Sequence, residues 1–203
     1  SLLAHLRPFS SEGGYFPELV IKGTKITPEM AGGLCQIGTT TFRAVMNSGL
    51  QILERRNHSL VVTYYNDPAN NNPGTDATIY DPAPDFKFKN DYGAHILLTT
   101  EINEQTSDLA FKFWGTTDGR KGYYSAPEVL RWKSAGEPVM VKTTELEPGK
   151  MNCQSAHPGA EAKFTYTVER PGGIKEDTVY TSSYRSLPKL CLVGATAEEM
   201  IVK

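Results

Sequence analysis

Nowhere does the chain carry a run of about eighteen apolar residues, the length a helix needs to span a bilayer, and its first residues lack the basic and apolar pattern of an export signal. Lysine and arginine never form a block. The pairs Arg55-Arg56 and Arg120-Lys121 stand alone and the formal charge is −2. Phosphate recognition needs a concentrated basic surface, so a nucleic-acid partner is excluded. Cysteine is scarce, with three residues, and neither these nor the four histidines fall at CxxC or HxxxH spacing, which argues against a bound metal. Internal repeats and low-complexity tracts are also missing, which excludes a solenoid.

What is present is an ordinary globular composition, 39% hydrophobic over 203 residues, enough for one large or two small domains. Phe42, Val45, Met46, Gly49, Leu50, Ile52 and Leu53 recur at spacings of three and four, predicting an amphipathic helix within a stretch of about twenty residues after Cys35. Other apolar segments alternate or are short and β-branched: Leu60 to Tyr65, Ala77 to Tyr80, Phe86 with Phe88, His95 to Thr99, Leu109 to Phe113, Val139 to Thr143, Phe164 to Val168 and Thr178 to Tyr184. The expected class is α+β, one helix on an antiparallel-rich β core. Asp118 to Pro138 mixes glycine, proline and charge with Tyr123, Tyr124 and Trp132, which read as a packed junction more readily than as a glycan-contacting surface, and a domain junction is placed within it, at 121–136.

Cys35 stands in Gly32-Gly33-Leu34-Cys35-Gln36, at the start of the predicted helix. Unpaired backbone N–H groups and the positive end of the helix dipole favour a thiolate there. The paired glycines permit a sharp turn and close approach of a substrate backbone. A buried structural cysteine is the alternative. Thr39-Thr40-Thr41, in the first turns, has weak helix propensity, so that helix start must be held by tertiary packing or by threonines bonding back to the preceding turn.

A thiolate that transfers an acyl group needs a base, and the base needs an orienting group. His58, just beyond the helix and ahead of the Leu60 segment, is the best placed of the histidines. Asp76 and Asp85 are the candidates to orient it. If Leu60 to Tyr65 and Ala77 to Tyr80 form an antiparallel hairpin, His58 and Asp76 lie at opposite ends, roughly 20 Å apart, which favours Asp85. A different pairing would bring Asp76 beside His58. Arg55 can hold a peptide carboxylate in a bidentate contact or simply be solvated against the helix dipole.

Gly32-Gly33-Leu34-Cys35-Gln36, Glu54-Arg55, His58-Ser59, Gly74-Thr75-Asp76-Ala77-Thr78 and Asp85-Phe86 with Asn90 together resemble the VanW domain, over roughly residues 8 to 115. That family is named from glycopeptide-resistance gene clusters. The resemblance implies a cell-wall enzyme with L,D-transpeptidase activity on peptidoglycan stem peptides, with Cys35 as nucleophile and His58 as its partner. Gly33, Gln36, Arg55 and Ser59 become candidate substrate contacts. The chain departs from the family pattern at Ala31, where a third glycine is usual, and at Gly38, where a serine is usual. Glu147-Pro148-Gly149, His157-Pro158-Gly159, Phe164 to Val168 and Leu187-Pro188-Lys189 to Val193-Gly194 resemble a G5 domain, an elongated all-β module proposed to bind N-acetylglucosamine-containing glycan.

The expected organisation is therefore a VanW-like catalytic domain at 1–120, the junction, and a G5-like module at 137–196. Cys153 and Cys191 either pair in an oxidising compartment, worth about 4 kcal/mol by loop entropy, or remain free with Cys35. The expected location is extracytoplasmic, at a bacterial cell surface or wall, with any membrane attachment through an N-terminal anchor outside this sequence. The expected reaction requires no cofactor. Two other readings stand beside it: a non-catalytic protein that binds wall glycan or peptide, and a cysteine peptidase or amidase of stem peptides.

Overall fold

The structure is a computed structural model that describes the backbone of residues 1–22 and 25–201 and the side chains of 1–18 and 28–200. The elements are α1 (Leu2–Leu6), β1 (Pro17–Lys22), β2 (Lys25–Met30), α2 (Leu34–Asn47), β3 (Gln51–Glu54), β4 (Lys87–Lys89), β5 (Ile96–Asn103), β6 (Asp108–Gly115), β7 (Lys121–Tyr124), β8 (Glu128–Lys133), β9 (Val139–Thr143), β10 (Met151–Gln154), β11 (Gly159–Arg170), β12 (Ile174–Tyr184), β13 (Leu190–Gly194) and α3 (Ala197–Ile201). The fold is β-rich with few helices. Among the described residues no helix is long and apolar enough to cross a membrane.

Helix α2 is 14 residues long, shorter than the hydrophobic pattern suggested. Leu34, Gly38, Phe42, Val45 and Met46 form its buried stripe, but the helix stops before Gly49, which adopts φ +67°. A left-handed residue at that point ends a helix, and glycine takes it without a Cβ clash. Gly122 of β7 packs so closely on this turn that a Cβ there would lie 2.1 Å from the Met46 carbonyl oxygen. Leu50 stays in the core, while Ile52 and Leu53 move into β3. The same apolar residues thus serve two elements. At the other end Thr39 is fixed by tertiary bonds, its hydroxyl meeting both the N–H and the carbonyl of Ala77, whereas Thr40 donates back to Gln36.

Two expected strands are not strands. Leu60 to Tyr65 is a loop ending in a 3-10 turn at Thr63–Tyr65, and Ala77 to Tyr80 joins no ladder. Buried backbone groups must be paired somewhere. Here the Arg43 guanidinium takes the carbonyls of Tyr65, Asn66 and Thr75, Thr39 takes Ala77, and the amides of Thr78 and Tyr80 go to the carbonyls of Arg56 and Pro84. Side chains and loops replace the ladder, so the hairpin that would have separated His58 from Asp76 does not form.

The domain boundaries are also redrawn. Residues 121–136 carry β7 and β8, both paired antiparallel with β11, and are not a bare junction. On its other side β11 pairs with β12 over the length of both strands. Phe164, Tyr166 and Val168 of β11 enter the same core as Phe42, Val45 and Met46. The Phe42 ring, fully buried, meets Phe86, Phe164 and Tyr180 edge-on at 5.5, 6.2 and 6.1 Å. Residues of 1–120 and 137–196 therefore share one core. A second sheet, ordered β10-β13-β9 with β9 parallel to β13, follows in the C-terminal part, and there Cys153 and Cys191, directly opposite on β10 and β13, form a disulfide.

A shared core has a measurable consequence. Phe42→Ala is expected to cost about 3–5 kcal/mol, the usual range for deleting a buried Phe ring. Urea unfolding followed by tryptophan fluorescence and by far-ultraviolet dichroism should report one transition, displaced as a whole. Two transitions with only one displaced would mean separate cores.

Candidate active site

Gly33 at φ +84° turns the chain into α2, and Gly32 lies so near β1 that a Cβ would stand 2.4 Å from the Glu18 carbonyl oxygen. Both glycines are thus required by backbone geometry. Ala31, where the VanW pattern has glycine, is itself left-handed at φ +59°. Gly38 faces the Ala77 carbonyl, 2.9 Å from its ideal Cβ position, so the serine usual there would need the neighbouring backbone to shift. Cys35 is the second helical residue and is half-buried. Its Sγ lies 3.2 Å from Thr78 Oγ1 and 3.6 Å from the Ile79 carbonyl oxygen. The carbonyl contact suits the protonated thiol, and the threonine hydroxyl can turn to donate to the thiolate.

His58 follows β3 in the loop Arg55 to Ser59. Its Nδ1 lies 2.6 Å from Asp76 Oδ2, and its own backbone N–H donates to the same oxygen at 2.7 Å. Its ring stacks on Tyr65 with centroids 4.7 Å apart. The other carboxylate oxygen, Oδ1, accepts from the Tyr184 hydroxyl at 2.5 Å and from Arg55 Nη2 at 3.2 Å. His58 Nε2 is buried and has no hydrogen-bond partner among the described residues. A buried ring nitrogen without a partner is uncommon and calls for a reason. Cys35 is the nearest reason, since imidazole and thiol perturb one another.

Burial raises the Cys35 thiol, but the His58 imidazole and the Thr78 hydroxyl outweigh it, so the net displacement is below the ordinary thiol value. Burial lowers His58, but the Asp76 bond and the Cys35 interaction prevail and carry it up to about 9. Asp76 is almost wholly buried, which by itself raises its carboxyl, yet His58 and Arg55 hold it below the usual carboxylate range. Tyr65 and Tyr184 are both pushed above the ordinary phenol value by burial and nearby negative charge, so their hydroxyls stay protonated. The three groups thus favour thiolate, imidazolium and carboxylate in a row.

A cleft of about 770 Å³ opens over this row, lined by Gly32, Gly33, Leu34, Cys35, His58, Ser59 and the 78–81 segment, with Phe9, Met30 and Tyr64 among its apolar residues. That volume suits a short peptide. At the helix start Gln36 N–H is bonded to the Gly33 carbonyl, while the amides of Leu34 and Cys35 have no backbone partner among the described residues. Among those residues no three His, Cys, Asp or Glu side chains gather as a metal ion would require.

The structure brings Cys35, His58 and Asp76 together and sets Gly33 and Ser59 along the cleft. Gln36 is exposed and does not line it. Arg55 is corrected: it is neither solvated nor open to a ligand carboxylate, because its guanidinium is buried and donates to the carbonyls of Asp76 and Gly74 and to Ser182 Oγ. Asp85 is corrected as well. Its carboxylate accepts from the Ser1 hydroxyl and the Leu3 and Phe86 amides, capping the N-terminal turn instead of orienting His58. Sequence reasoning missed Tyr65, Arg43 and Tyr184. Thr78 was legible as part of the Gly74 to Thr78 motif, whereas nothing local marks Tyr184, which lies 108 residues from the carboxylate it touches.

These features define a class: a protein with a thiol, imidazole and carboxylate aligned in a cleft, mounted at a helix start on a β-rich frame. The chain matches the family model described as VanW like protein over residues 1–114, more than half its length, and it belongs to that family. It is also 39% identical over 80 residues to the uncharacterized protein YoaR of Bacillus subtilis (strain 168). The matched stretch is 39% of this chain and 24% of YoaR, so the chain spans about a quarter of that relative.

With Cys153 and Cys191 paired, Cys35 is the free thiol, and its ionisation can be followed by the rate of iodoacetamide alkylation against pH. The midpoint is expected below that of an ordinary cysteine. Removing the imidazolium in His58→Ala should raise it, slowing alkylation at neutral pH about tenfold for each unit of the rise. Superimposable profiles would mean that the two groups do not form an ion pair.

Proposed function

We propose that this protein is an extracytoplasmic cysteine acyltransferase of L,D-transpeptidase type, acting on peptidoglycan stem peptides. The observation that carries the reading is the meeting of Cys35, His58 and Asp76 at an open cleft, with Nε2 of His58 buried and without a hydrogen-bond partner among the described residues. Membership of the VanW-like family supports the substrate class. The disulfide supports an oxidising location.

In the acylation step the Cys35 thiolate adds to the carbonyl carbon of the bond before the terminal D-residue. The amides of Leu34 and Cys35 at the helix start stabilise the oxyanion. The C–N bond then breaks, the leaving amine takes the Nε2 proton of His58, and a thioester remains on Cys35. In the second step an amine of another stem adds to the thioester and gives its proton to His58. The C–S bond breaks and the thiolate returns, so protons and electrons balance over the cycle. Asp76 holds His58 with Nδ1–H donated to its carboxylate throughout, which keeps Nε2 as the exchanging nitrogen. Water in place of the amine trims the stem. Within the same proposal, the G5-like likeness of residues 137–196 makes that part a tether to N-acetylglucosamine-containing glycan.

Incubation of the purified protein with tetrapeptide-containing muropeptides, followed by mass spectrometry, tests the reading. Loss of the terminal D-residue with new cross-linked dimers is expected, and Cys35→Ala should lose both. The rate should fall as pH rises through about 9, where His58 gives up the proton that the leaving amine needs. Trimming without dimers would make the protein a peptidase, and no Cys35-dependent change across several donor stems would leave only a binding role.

A further inference from the structure

Four consecutive residues at the end of β12 each bond to the loops that carry His58 and Asp76. Ser182 Oγ accepts from Arg55 Nη1 at 2.9 Å and donates to the Gly74 carbonyl at 3.1 Å. The Ser183 carbonyl accepts from Asn57 Nδ2 at 3.0 Å. Tyr184 donates its hydroxyl to Asp76 Oδ1, and the Arg185 amide donates to the Ser59 carbonyl at 2.9 Å. These partners flank His58 on both sides in sequence, yet the 55–59 loop belongs to no sheet after β3 ends. The strand end is its template.

β12 is a firm support for such a template, because it pairs with β11 in unbroken register from Arg170↔Ile174 to Ala160↔Tyr184. Tyr184 is 1% exposed, so its ring is clamped by packing and its hydroxyl has a defined position. Of the two donors to Oδ1, Tyr184 is the closer; Arg55 Nη2 is longer at 3.2 Å and also serves the Gly74 carbonyl. With Oδ1 occupied from behind, the carboxylate plane is set so that Oδ2 faces the His58 amide and ring together.

We propose that Tyr184 is a positioning residue for the His58–Asp76 pair, and that the C-terminal hairpin β11–β12 thereby completes a site whose other members lie in the VanW-like segment. The family match ends at residue 114, well before this hairpin. The proposal rests on the reading of Cys35, His58 and Asp76 as one reacting unit. The groups that act directly on His58 are Asp76 at Nδ1, Cys35 through its interaction with the imidazole and Tyr65 on the ring face, while Arg55 and Tyr184 act on it through Asp76.

The test is the NMR titration of the His58 ring in the whole chain, comparing wild type, Tyr184→Phe and Tyr166→Phe. Tyr184→Phe keeps the ring and removes only the hydroxyl. Tyr166 serves as the structural control, because its buried hydroxyl donates to the Leu50 carbonyl and so does not touch the site. Without its closer donor the carboxylate is free to turn toward Arg55, which loosens the bond to His58. His58 is then expected to titrate about one unit lower in Tyr184→Phe. Tyr166→Phe should melt lower with His58 unmoved. A folded Tyr184→Phe in which His58 titrates as in wild type, or higher, would overturn the proposal, as would an equal displacement in Tyr166→Phe. Catalysis does not enter this readout: absent muropeptide turnover with a displaced His58 would count against the acyltransferase reading alone.

Discussion

Asp76 is charged in a place that water barely reaches, and much of the site follows from how that charge is satisfied. Removing a carboxylate from water costs several kcal/mol unless hydrogen bonds and an opposite charge replace the lost hydration. Here His58 donates twice to one oxygen, Tyr184 and Arg55 donate to the other, and Arg55 also takes the Asp76 carbonyl. The donors come from two distant parts of the chain: the loop after β3, which carries both Arg55 and His58, and the end of β12. The carboxylate can be buried only if both arrive, so the site and the tertiary fold form together. The same charge holds the imidazole protonated, and the imidazole in turn favours the thiolate.

The core explains why those parts can meet. Phe42 on α2 lies beside Phe164 and Tyr180 of the β11–β12 hairpin, and Arg55 sits over the Phe42 ring with its guanidinium carbon 5.2 Å from the centroid. One aromatic cluster therefore anchors the helix that presents Cys35 and the hairpin that presents Tyr184, with Arg55 between core and site. Arg43 performs a similar service on the other side of α2, binding the carbonyls of loops that have no ladder of their own. Irregular chain around the site is held here by the guanidiniums of Arg43 and Arg55, which offer several donors in a fixed plane.

Legibility divided along the range of each interaction. Cys35 was readable because its surroundings, two glycines before it and an apolar stripe after it, are local. The end of α2 was not, since Leu50, Ile52 and Leu53 keep helical spacing while Gly49, set against Gly122 of β7, stops the helix. Asp85 looks a better partner than Asp76 only if the apolar β-branched runs pair as strands. In the fold those runs lie unpaired, only Leu60, Tyr65, Ala77 and Ile79 of them buried, with backbone groups satisfied by Thr39, Arg43 and neighbouring loops. Likewise 121–136 read as a junction from its glycine and proline, although its alternating Lys121 to Tyr124 and Glu128 to Lys133 pair with β11.

The sequence by itself determined the chemistry available: a free thiol at a helix start, an imidazole beyond the helix, acids at two candidate places, and a β-rich frame with two further cysteines. These depend on residue type and on spacings of a few residues, which the chain order encodes directly. Tertiary structure alone decided which acid meets the histidine, that Arg55 is occupied within the fold, that Cys153 and Cys191 stand opposite one another, and that Tyr184 closes the far side of Asp76. Each of those outcomes depends on which distant segments pair and where a buried polar group finds its partner. Such contacts are selected by the packing of the whole core, and no local pattern in the chain records them.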